Sequence, residues 1–290
     1  MIRALVLACA LGACSASAGA PGLEREALVT WREDHPGFGG FSAVEVLDEG
    51  RRFVAVTDRG HWATGEMQRE DGRLVSIVMT GFGPLLGVRG APLTGRDADA
   101  EAIALGPDGA FYLAFEANHR IRRYPAIDGP AVHVDTPREF ARLQNNSGIE
   151  ALAMDAAGTI YAIPERSGAL DRPFPIYRKR DGRWDRELSI PREGEFLVTG
   201  ADIGPDGRLY IVERQFAMLG FRTRVRRFAL GPDSIDLGET LLETGWMELD
   251  NMEGISVWED AAGVMRITLL SDDNFFPLQR TIFAEYVVPD

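Results

Sequence analysis

Acidic residues recur at intervals of about fifty positions along this chain of 290 residues. Glu101, Glu150 and Glu253 each stand at the start of a short apolar segment, and other acids end the apolar segment that follows. The second set comprises Asp58, Glu116, Glu165, Glu213 and Asp272, with Asp273 next to the last of them. If the fold brings these carboxylates together, they can hold Ca²⁺, which prefers carboxylate, carbonyl and amide oxygens in irregular geometry.

The segments that carry these acids repeat five times, and the repeat predicts how the acids are positioned. Each copy has an apolar strand, a glycine turn, a second apolar strand that ends in an acid, and a third strand rich in arginine or aromatic residues. The first strands start at Ser42, Glu101, Glu150, Thr199 and Glu253, at separations of 59, 49, 49 and 54 residues. A period of this length with short strands is typical of a β-propeller.

We therefore predict an all-β chain with five four-stranded blades. A sixth blade inside the longer first step is the alternative. The last copy has three strands before the chain ends, so residues 27–32 are expected to supply its fourth strand and close the ring. One helix is expected, over Pro137–Leu143.

The propeller topology predicts that the acids meet at one mouth of the central channel, because the first strand of a blade starts where the second strand ends. Nine carboxylates this close repel one another, and opposite charge is needed among them. An ion-pair ring formed by Arg59, Arg166 and Arg214 is one solution, and bound divalent cations are the other. Three arginines cannot neutralise nine acids, so we expect at least one Ca²⁺.

The densest expected cation site is Asp272-Asp273-Asn274 together with Glu253 and Asn251. Acids elsewhere in the repeats have other expected roles. Asp108, Asp206 and Asp260 lie in hairpin turns at the opposite end and are expected to form those turns. Asp202 lies within a first strand and is expected to be a hydrogen-bonded core residue.

Composition and the N-terminus bear on partners and compartment. Lys and Arg number 31 against 44 Asp and Glu, a net charge of −13, which argues against binding nucleic acid or anionic lipid through charge. Residues 1–20 resemble a secretory signal, with one propeller domain over 21–290. Both cysteines, Cys9 and Cys14, lie in that signal, so the fold has no thiol. The sequence around Cys14 resembles a lipobox, and ordinary cleavage after Ala18 is the alternative.

Several segments of the repeats resemble a known family. Its pattern is matched by Glu101–Ala104, by residues 200–210, by Asn251–Ile255 and by Ser271–Phe275 with Gln279-Arg280-Thr281. These segments are similar to the phytase-like domain family, whose bacterial members are described as esterase-like. The resemblance, over residues 39–286, implies an exported β-propeller that hydrolyses carboxylic or phosphate esters and can depend on Ca²⁺.

The leading interpretation is an exported, periplasmic hydrolase with a small-molecule ester or phosphate substrate, acting as a monomer that touches the membrane only through lipid on Cys14. Bound Ca²⁺ would polarise the substrate and a carboxylate would act as base. The candidate ligands are Glu101, Glu150, Glu253, Asp272, Asp273 and Asn274. The candidate bases are Glu116, Glu165 and Glu213, and the candidate anion-binding residues are Arg166 and Arg214. The alternatives are a Ca²⁺-dependent lactonase and a non-catalytic propeller that binds an envelope partner.

Overall fold

Five antiparallel sheets of four strands each make up the fold, as seen in a computed structural model that describes residues 22–144, 148–218 and 220–289. The prediction of a five-bladed propeller is confirmed, and the alternative of a sixth blade is wrong because the long first step is filled by two extended strands. The predicted signal segment and Cys14 lie outside the described residues. Export and acylation therefore stay predictions.

Twenty strands are present in the described residues. The first ten are β1 (Glu24–Thr30), β2 (Phe41–Leu47), β3 (Arg52–Thr57), β4 (His61–Glu70), β5 (Arg73–Pro84), β6 (Ala100–Leu105), β7 (Phe111–Phe115), β8 (Arg120–Tyr124), β9 (Val132–His133) and β10 (Ile149–Met154). The others are β11 (Ile160–Pro164), β12 (Phe174–Arg180), β13 (Arg183–Ile190), β14 (Leu197–Ile203), β15 (Leu209–Ala217), β16 (Gly220–Phe228), β17 (Glu239–Glu243), β18 (Asn251–Glu259), β19 (Met265–Asp272) and β20 (Ile282–Val287).

Blades 1 to 4 are β2–β5, β6–β9, β10–β13 and β14–β17, each in chain order from the axis outward. Blade 5 has the order β18, β19, β20, β1, so its outer strand comes from the N-terminal end of the described chain. Strand β1 pairs antiparallel with β20, and Trp31, just beyond β1, is buried against Phe41, Phe53 and Phe283. The predicted closure of the ring is confirmed.

The innermost strands approach one another so closely that the central channel is almost filled. A cavity of about 10 Å³ is lined by residues from β2, β6, β10, β14 and β18. At Gly200 a Cβ atom would lie 2.3 Å from the carbonyl oxygen of Glu253, so no larger residue fits there. A channel this narrow cannot pass a substrate.

The segment predicted to be a helix adopts a different form. Arg138–Arg142 is a single 3₁₀ helix, preceded by Pro137 in an extended conformation and held by the buried side chain of Phe140. Nucleating an α-helix is unfavourable, and five residues add too few hydrogen bonds to offset this. Within the described residues, no helix is both long and apolar enough to cross a membrane.

The acids of the opposite face form turns, as predicted. Asp260 accepts hydrogen bonds from the backbone N–H groups of Ala262 (2.9 Å) and Val264 (3.0 Å). Asp108 and Asp206 accept equivalent backbone hydrogen bonds in their own hairpins. These carboxylates are used by the local backbone, which is the usual role of aspartate in tight turns.

Two acids are buried between the inner strands, away from the turns. Asp202 accepts hydrogen bonds from the backbone N–H groups of Val257 (2.6 Å) and Ile203 (2.7 Å), which confirms its expected core role. Glu45, which sequence reasoning did not single out, accepts one from Leu105 at 2.9 Å. Burial raises the pKa of Asp202 to about 7, and burial followed by the charge of Asp202 raises that of Glu45.

This buried pair predicts a pH-dependent stability. The folded-state pKa of Asp202 is about 7, above the value in the unfolded chain. The protonated carboxyl group therefore favours the folded state, and this contribution to the free energy of unfolding is fully present below the unfolded pKa and is lost as the pH rises through 7. The free energy of unfolding should therefore fall between pH 5 and 8, and Asp202→Asn should flatten that fall. Denaturant unfolding across this range tests the prediction, with exposed Asp71→Asn as control. Parallel profiles for wild type and Asp202→Asn would contradict it.

Candidate functional site

A β-bulge lies at the start of the inner strand of every blade. In blade 2 the pairing of β6 with β7 passes from Ala100–Phe115 to Ala102–Ala114, which leaves Glu101 as the extra residue. The same shift leaves one extra residue in each other blade, namely Ser42, Glu150, Thr199 and Glu253. A bulge bends the strand and redirects the extra side chain. The five repeat positions found in the sequence are therefore the five bulge residues.

Each residue that precedes a bulge pairs with a residue of the second strand, and the next residue along that second strand occupies an equivalent position in all five blades. These positions hold Asp58, Glu116, Glu165, Arg214 and Asp272. In blade 4 the position belongs to Arg214 and not to Glu213, because Val198 pairs with Glu213 and Leu197 with Arg214. Side chains alternate along a strand, so a shift of one residue moves Glu213 to the other face of the sheet.

Glu213 is fully buried in an ion-pair group within blade 4. Its carboxylate accepts hydrogen bonds from Arg224 Nε at 2.7 Å and from Arg226 Nε and Nη2, both at 2.8 Å. Arg224 lies directly across the strand pair from Glu213, and Arg226 lies diagonally from it on the same face. Both carboxylate oxygens are occupied, which leaves Glu213 no contact with the mouth of the channel.

Arg214 connects three blades at the mouth. Its guanidinium donates to Glu253 and to Asn251 Oδ1 (2.7 Å) in blade 5, and lies 3.3 Å from Glu165 in blade 3. Asn251 in turn donates to Glu253 at 2.9 Å. Part of the predicted arginine ring therefore exists, with Arg214 shared between Glu253 and Glu165. It is a positioning residue for these acids, and little of it is open to a substrate.

The acids of blade 2 have no arginine partner among the described residues and lie close together. Asp99, Glu101 and Glu116 each offer a carboxylate oxygen, and these atoms all lie within 4.8 Å of one another. Among the described residues this is the group of three acids compact enough to hold one metal ion. Asp99 was missed by sequence reasoning, although an acid two residues before Glu101 was a visible signal.

Burial and the charges of neighbouring acids raise the pKa values of Glu101 and Glu150. Burial, then the charges of Glu150, Glu253 and Asp99, raise the pKa of Glu101 well above its usual range. Burial, then the charges of Glu165, Glu116 and Glu253, also raise the pKa of Glu150. The positive charge of Arg214 lowers it. Each negative charge in such a group disfavours ionisation of the next, so a cation placed among these acids would lower their pKa values.

Two further acids border the group from blades 1 and 5. Burial raises the pKa of Asp58 to about 6, and its Oδ1 atom is buried without a hydrogen-bond partner in the described residues. Burial, followed by the charge of Glu253, raises the pKa of Asp272 to about 8. A buried carboxylate oxygen with no donor is costly. A cation bound at the mouth would satisfy this oxygen, so the residues here fit a cation.

In the loop after β19, where the sequence predicted a cation site, the polar groups hydrogen-bond to the backbone. Asp273 accepts hydrogen bonds from the backbone N–H groups of Gly40 (3.0 Å) and Phe275 (3.1 Å), so it fastens this loop to blade 1. Asn274 is exposed, in the left-handed backbone region at φ 47°, and Arg59 lies over the ring of Phe275. Asp272, Asp273 and Glu253 do not form a three-acid group as compact as that in blade 2.

The remaining candidates border the mouth. Arg166 pairs with Glu165 at 3.1 Å and its side chain is half exposed. His119 packs beside Gly148 and Glu116, where burial lowers its pKa, and His61 stacks on Phe82 at 5.1 Å. The structure thus gathers acids from blades 1, 2, 3 and 5 at one mouth and sets Glu213 apart from them.

Comparison with known proteins identifies the family. A family model described as "Phytase-like: Esterase-like activity of phytase" matches residues 36–275. The chain belongs to the phytase-like family. In this phytase-like chain the match runs from β2 to the end of β19 and includes all the acids of the mouth. The search of curated proteins finds no match.

Solved structures similar to this phytase-like chain are distant in sequence. The PQQ-bound aldose sugar dehydrogenase from Streptomyces coelicolor is 12% identical with a TM-score of 0.46, over 93% of this chain and 100% of that one. A protein of unknown function from Dyadobacter fermentans is 15% identical with a TM-score of 0.45, over 89% of this chain and 79% of that one. These likenesses concern the overall fold.

Proposed function

We propose that this protein is an exported, Ca²⁺-dependent hydrolase of phosphate monoesters or carboxylic esters, with its chemistry at the acidic mouth. The observation that carries the proposal is the group Asp99, Glu101 and Glu116, which has no salt-bridge partner in the described part of the chain and whose carboxylate oxygens lie within 4.8 Å of one another. Membership of a family described by an esterase-like activity supports the reaction class. The oxygen-only donor set favours Ca²⁺ over zinc or copper.

The residues present fit a calcium ion. Asp99, Glu101 and Glu116 would hold it, with the unpartnered Oδ1 of Asp58 facing the same mouth. When bound, the ion would polarise a phosphoryl or carbonyl oxygen of the substrate and lower the pKa of an attacking water. Glu116 also accepts a hydrogen bond from Gly148 N at 2.9 Å, which fixes the orientation of one proposed ligand.

The chain's own residues would handle the proton. Burial, followed by the charges of Glu165 and Glu116, raises the pKa of Glu150, and a raised pKa suits a carboxyl group that takes part in proton transfer. The geometry therefore favours Glu150 as general acid or base and Glu116 as ligand, the reverse of the roles expected from the sequence. Glu165 and Glu253, held in place by Arg214, would put negative charge near Glu150 and so favour its protonated form.

Calcium titration of metal-stripped protein tests the proposal directly. We expect Ca²⁺ to raise the melting temperature by about 5 °C at saturation and pH 8, because a ligand that binds only the folded state stabilises it. The shift should be much smaller at pH 5, where Asp58 and Asp272, with pKa values of about 6 and 8, are protonated. Turnover is to be measured on phosphate esters, aryl esters and lactones, and whichever of these activities is present should require Ca²⁺.

The same assay separates the alternatives. Lactones turned over in preference to phosphate and aryl esters would favour the lactonase interpretation. A melting temperature that Ca²⁺ leaves unchanged at pH 8, together with no turnover on any of the three substrate classes, would leave a non-catalytic binding propeller.

A further inference from the structure

A β-hairpin of blade 4 projects beyond the mouth of the channel. Strands β15 and β16 continue to pair for three residues past Arg214, and the last pair is Ala217 with Gly220. Near its tip the rings of Phe216 and Phe221 lie 5.2 Å apart. In the other blades the second strand ends at the level of the mouth, at Thr57, Phe115, Pro164 and Asp272. Three further residues in each strand add about 10 Å, so the hairpin stands clear of the mouth.

The most exposed large apolar side chains lie on the same face as this hairpin. Six such side chains are at least 60% exposed in the described residues, and five of them lie in loops of the mouth face. The sixth, Leu237, lies between β16 and β17 on the opposite face. Leu170 belongs to blade 3, and the other four, together with the half-exposed Phe276, form the apolar tips of blades 4 and 5: Phe216, Met218, Met247 and Leu278. Single exposed apolar side chains are common, but such a concentration on one face marks a contact surface.

Backbone hydrogen bonds connect the loops that carry these tips. The N–H group of Met247 donates to the carbonyl oxygen of Phe221 at 2.9 Å, which joins the loop after β17 to the projecting hairpin. Three residues later, Asp250 accepts a hydrogen bond from the backbone N–H group of Arg280 at 3.0 Å. Arg280 is two residues from Leu278 in the loop after β19. The apolar tips therefore belong to neighbouring, mutually attached loops.

The composition and shape of the tips favour a lipid surface as the partner. Residues 215–221 and 275–279 contain no charged side chain, although 26% of the chain is charged. The tips are also the convex ends of separate loops. A stable protein interface buries roughly 800 Å² of closely packed surface on each partner, whereas a bilayer accepts projecting apolar side chains one at a time. Because the net charge of −13 would repel anionic lipid, a zwitterionic bilayer suits this surface best.

The N-terminal part of the chain begins its described path on the same blade. The N–H group of Leu23 donates to the carbonyl oxygen of Leu241 in β17 at 2.9 Å. In the register of β16 and β17, Leu241 lies four to five residues from Phe221, a distance of about 15 Å along the strand. Nine residues from Cys14 to Leu23 span at most about 30 Å. A lipid on Cys14, as the sequence predicts, is therefore within reach of the level of the hairpin tip.

We propose that the apolar tips of blades 4 and 5 insert into the interfacial region of a zwitterionic phospholipid bilayer, with the mouth of the propeller turned toward it. Phe216 and Met218 would enter deepest, because the hairpin projects about 10 Å beyond the mouth. The same projection would keep the acids of the mouth in water. This inference does not depend on the proposed hydrolase, since it concerns attachment and not chemistry.

A fluorescent label at the hairpin tip tests insertion directly. Cys9 and Cys14 are the two cysteines of the chain, so the full chain with Cys9→Ser and Cys14→Ser carries one label at a time and no acyl group. We expect the emission of a nitrobenzoxadiazole label on Met218→Cys to shift to shorter wavelength when phosphatidylcholine vesicles are added. The matched control is the same label on Leu237→Cys, which is 79% exposed on the opposite face and should not respond.

Vesicle sedimentation of the unlabelled protein in the same background measures the contribution of the tip side chains. We expect Phe216→Ser/Met218→Ser to partition into phosphatidylcholine vesicles about 100-fold more weakly, because two large apolar side chains no longer leave water. Leu105→Ser/Leu237→Ser, which removes two exposed leucines from the opposite face, should partition as the parent protein does. All these side chains are exposed, so the melting temperatures should agree.

Three results would overturn the inference. One is a label on Met218→Cys that does not respond, or responds no more than the label on Leu237→Cys. Another is binding that appears only with phosphatidylglycerol vesicles, which would assign attachment to charge. The third is a dimer in sedimentation velocity, without vesicles, that Phe216→Ser/Met218→Ser abolishes while no insertion occurs, which would assign the tips to a second copy of this chain. Neither measurement uses Ca²⁺ or turnover, so a failure here is distinguishable from a failure of the proposed hydrolase.

Discussion

Glu101→Gln is expected to abolish Ca²⁺ binding in the micromolar range and to reduce Ca²⁺-dependent turnover about 1000-fold, since a metal ion supplies several kcal/mol of transition-state stabilisation. Glu101 is the bulge residue of blade 2 and shares the close carboxylate group with Asp99 and Glu116. Glutamine keeps the shape of the side chain and removes the charge. Calorimetric Ca²⁺ titration and steady-state kinetics of the two proteins measure both effects.

The metal-free Glu101→Gln protein should be more stable than metal-free wild type at pH 8. The pKa of Glu101 is raised by burial and by neighbouring acids, so ionising it in the folded protein costs free energy that glutamine avoids. Exposed Glu259→Gln, at the other end of β18 from Glu253, is the matched control and should change neither property. Unaltered Ca²⁺ affinity in Glu101→Gln would exclude blade 2 as the metal site.

Glu213→Gln is expected to lower the free energy of unfolding by about 3–5 kcal/mol, because it leaves two buried guanidinium groups without their carboxylate. Arg224 and Arg226 are both nearly inaccessible and both donate to Glu213. Urea or guanidinium unfolding at constant pH measures the loss. The fraction that remains folded should keep its kcat, since Glu213 does not face the mouth.

Glu193→Gln is the matched control for this prediction. Glu193 lies 3.7 Å from Arg224 and 3.4 Å from Arg226, the same two arginines, but its side chain is 53% exposed. Its removal should therefore cost less than about 1 kcal/mol. A Glu213→Gln protein with wild-type stability and no turnover would instead restore Glu213 as the catalytic base expected from the sequence.

The blade pattern was readable because it depends on local chemistry that repeats. Alternating apolar strands and glycine turns at a period near fifty predicted five blades, and three strands after Glu253 predicted a ring closed by residues 27–32. The convergence of the acids followed from topology alone. The turn roles of Asp108, Asp206 and Asp260 followed from the hairpin pattern.

The direction of individual side chains was not readable in this way. Glu213 and Arg214 are adjacent in the sequence, and either can end the second strand of blade 4 on pattern alone. The observed register with β14 puts Arg214 at the mouth and Glu213 against Arg224. A register that differs by one residue leaves composition and period unchanged but exchanges the two faces of the strand.

The repeat pattern was sufficient to predict the all-β class, five blades, the closure of the ring and the collection of acids at one end. The packing of strands and blades sets which acids are neutralised, because Arg214 and Arg224 reach partners on other strands or other blades. It also decided that Asp99 joins Glu101 and Glu116 and that Asp273 fastens a loop. Local pattern sets which residues can form a strand, whereas bulges and packing between blades set where each charge points.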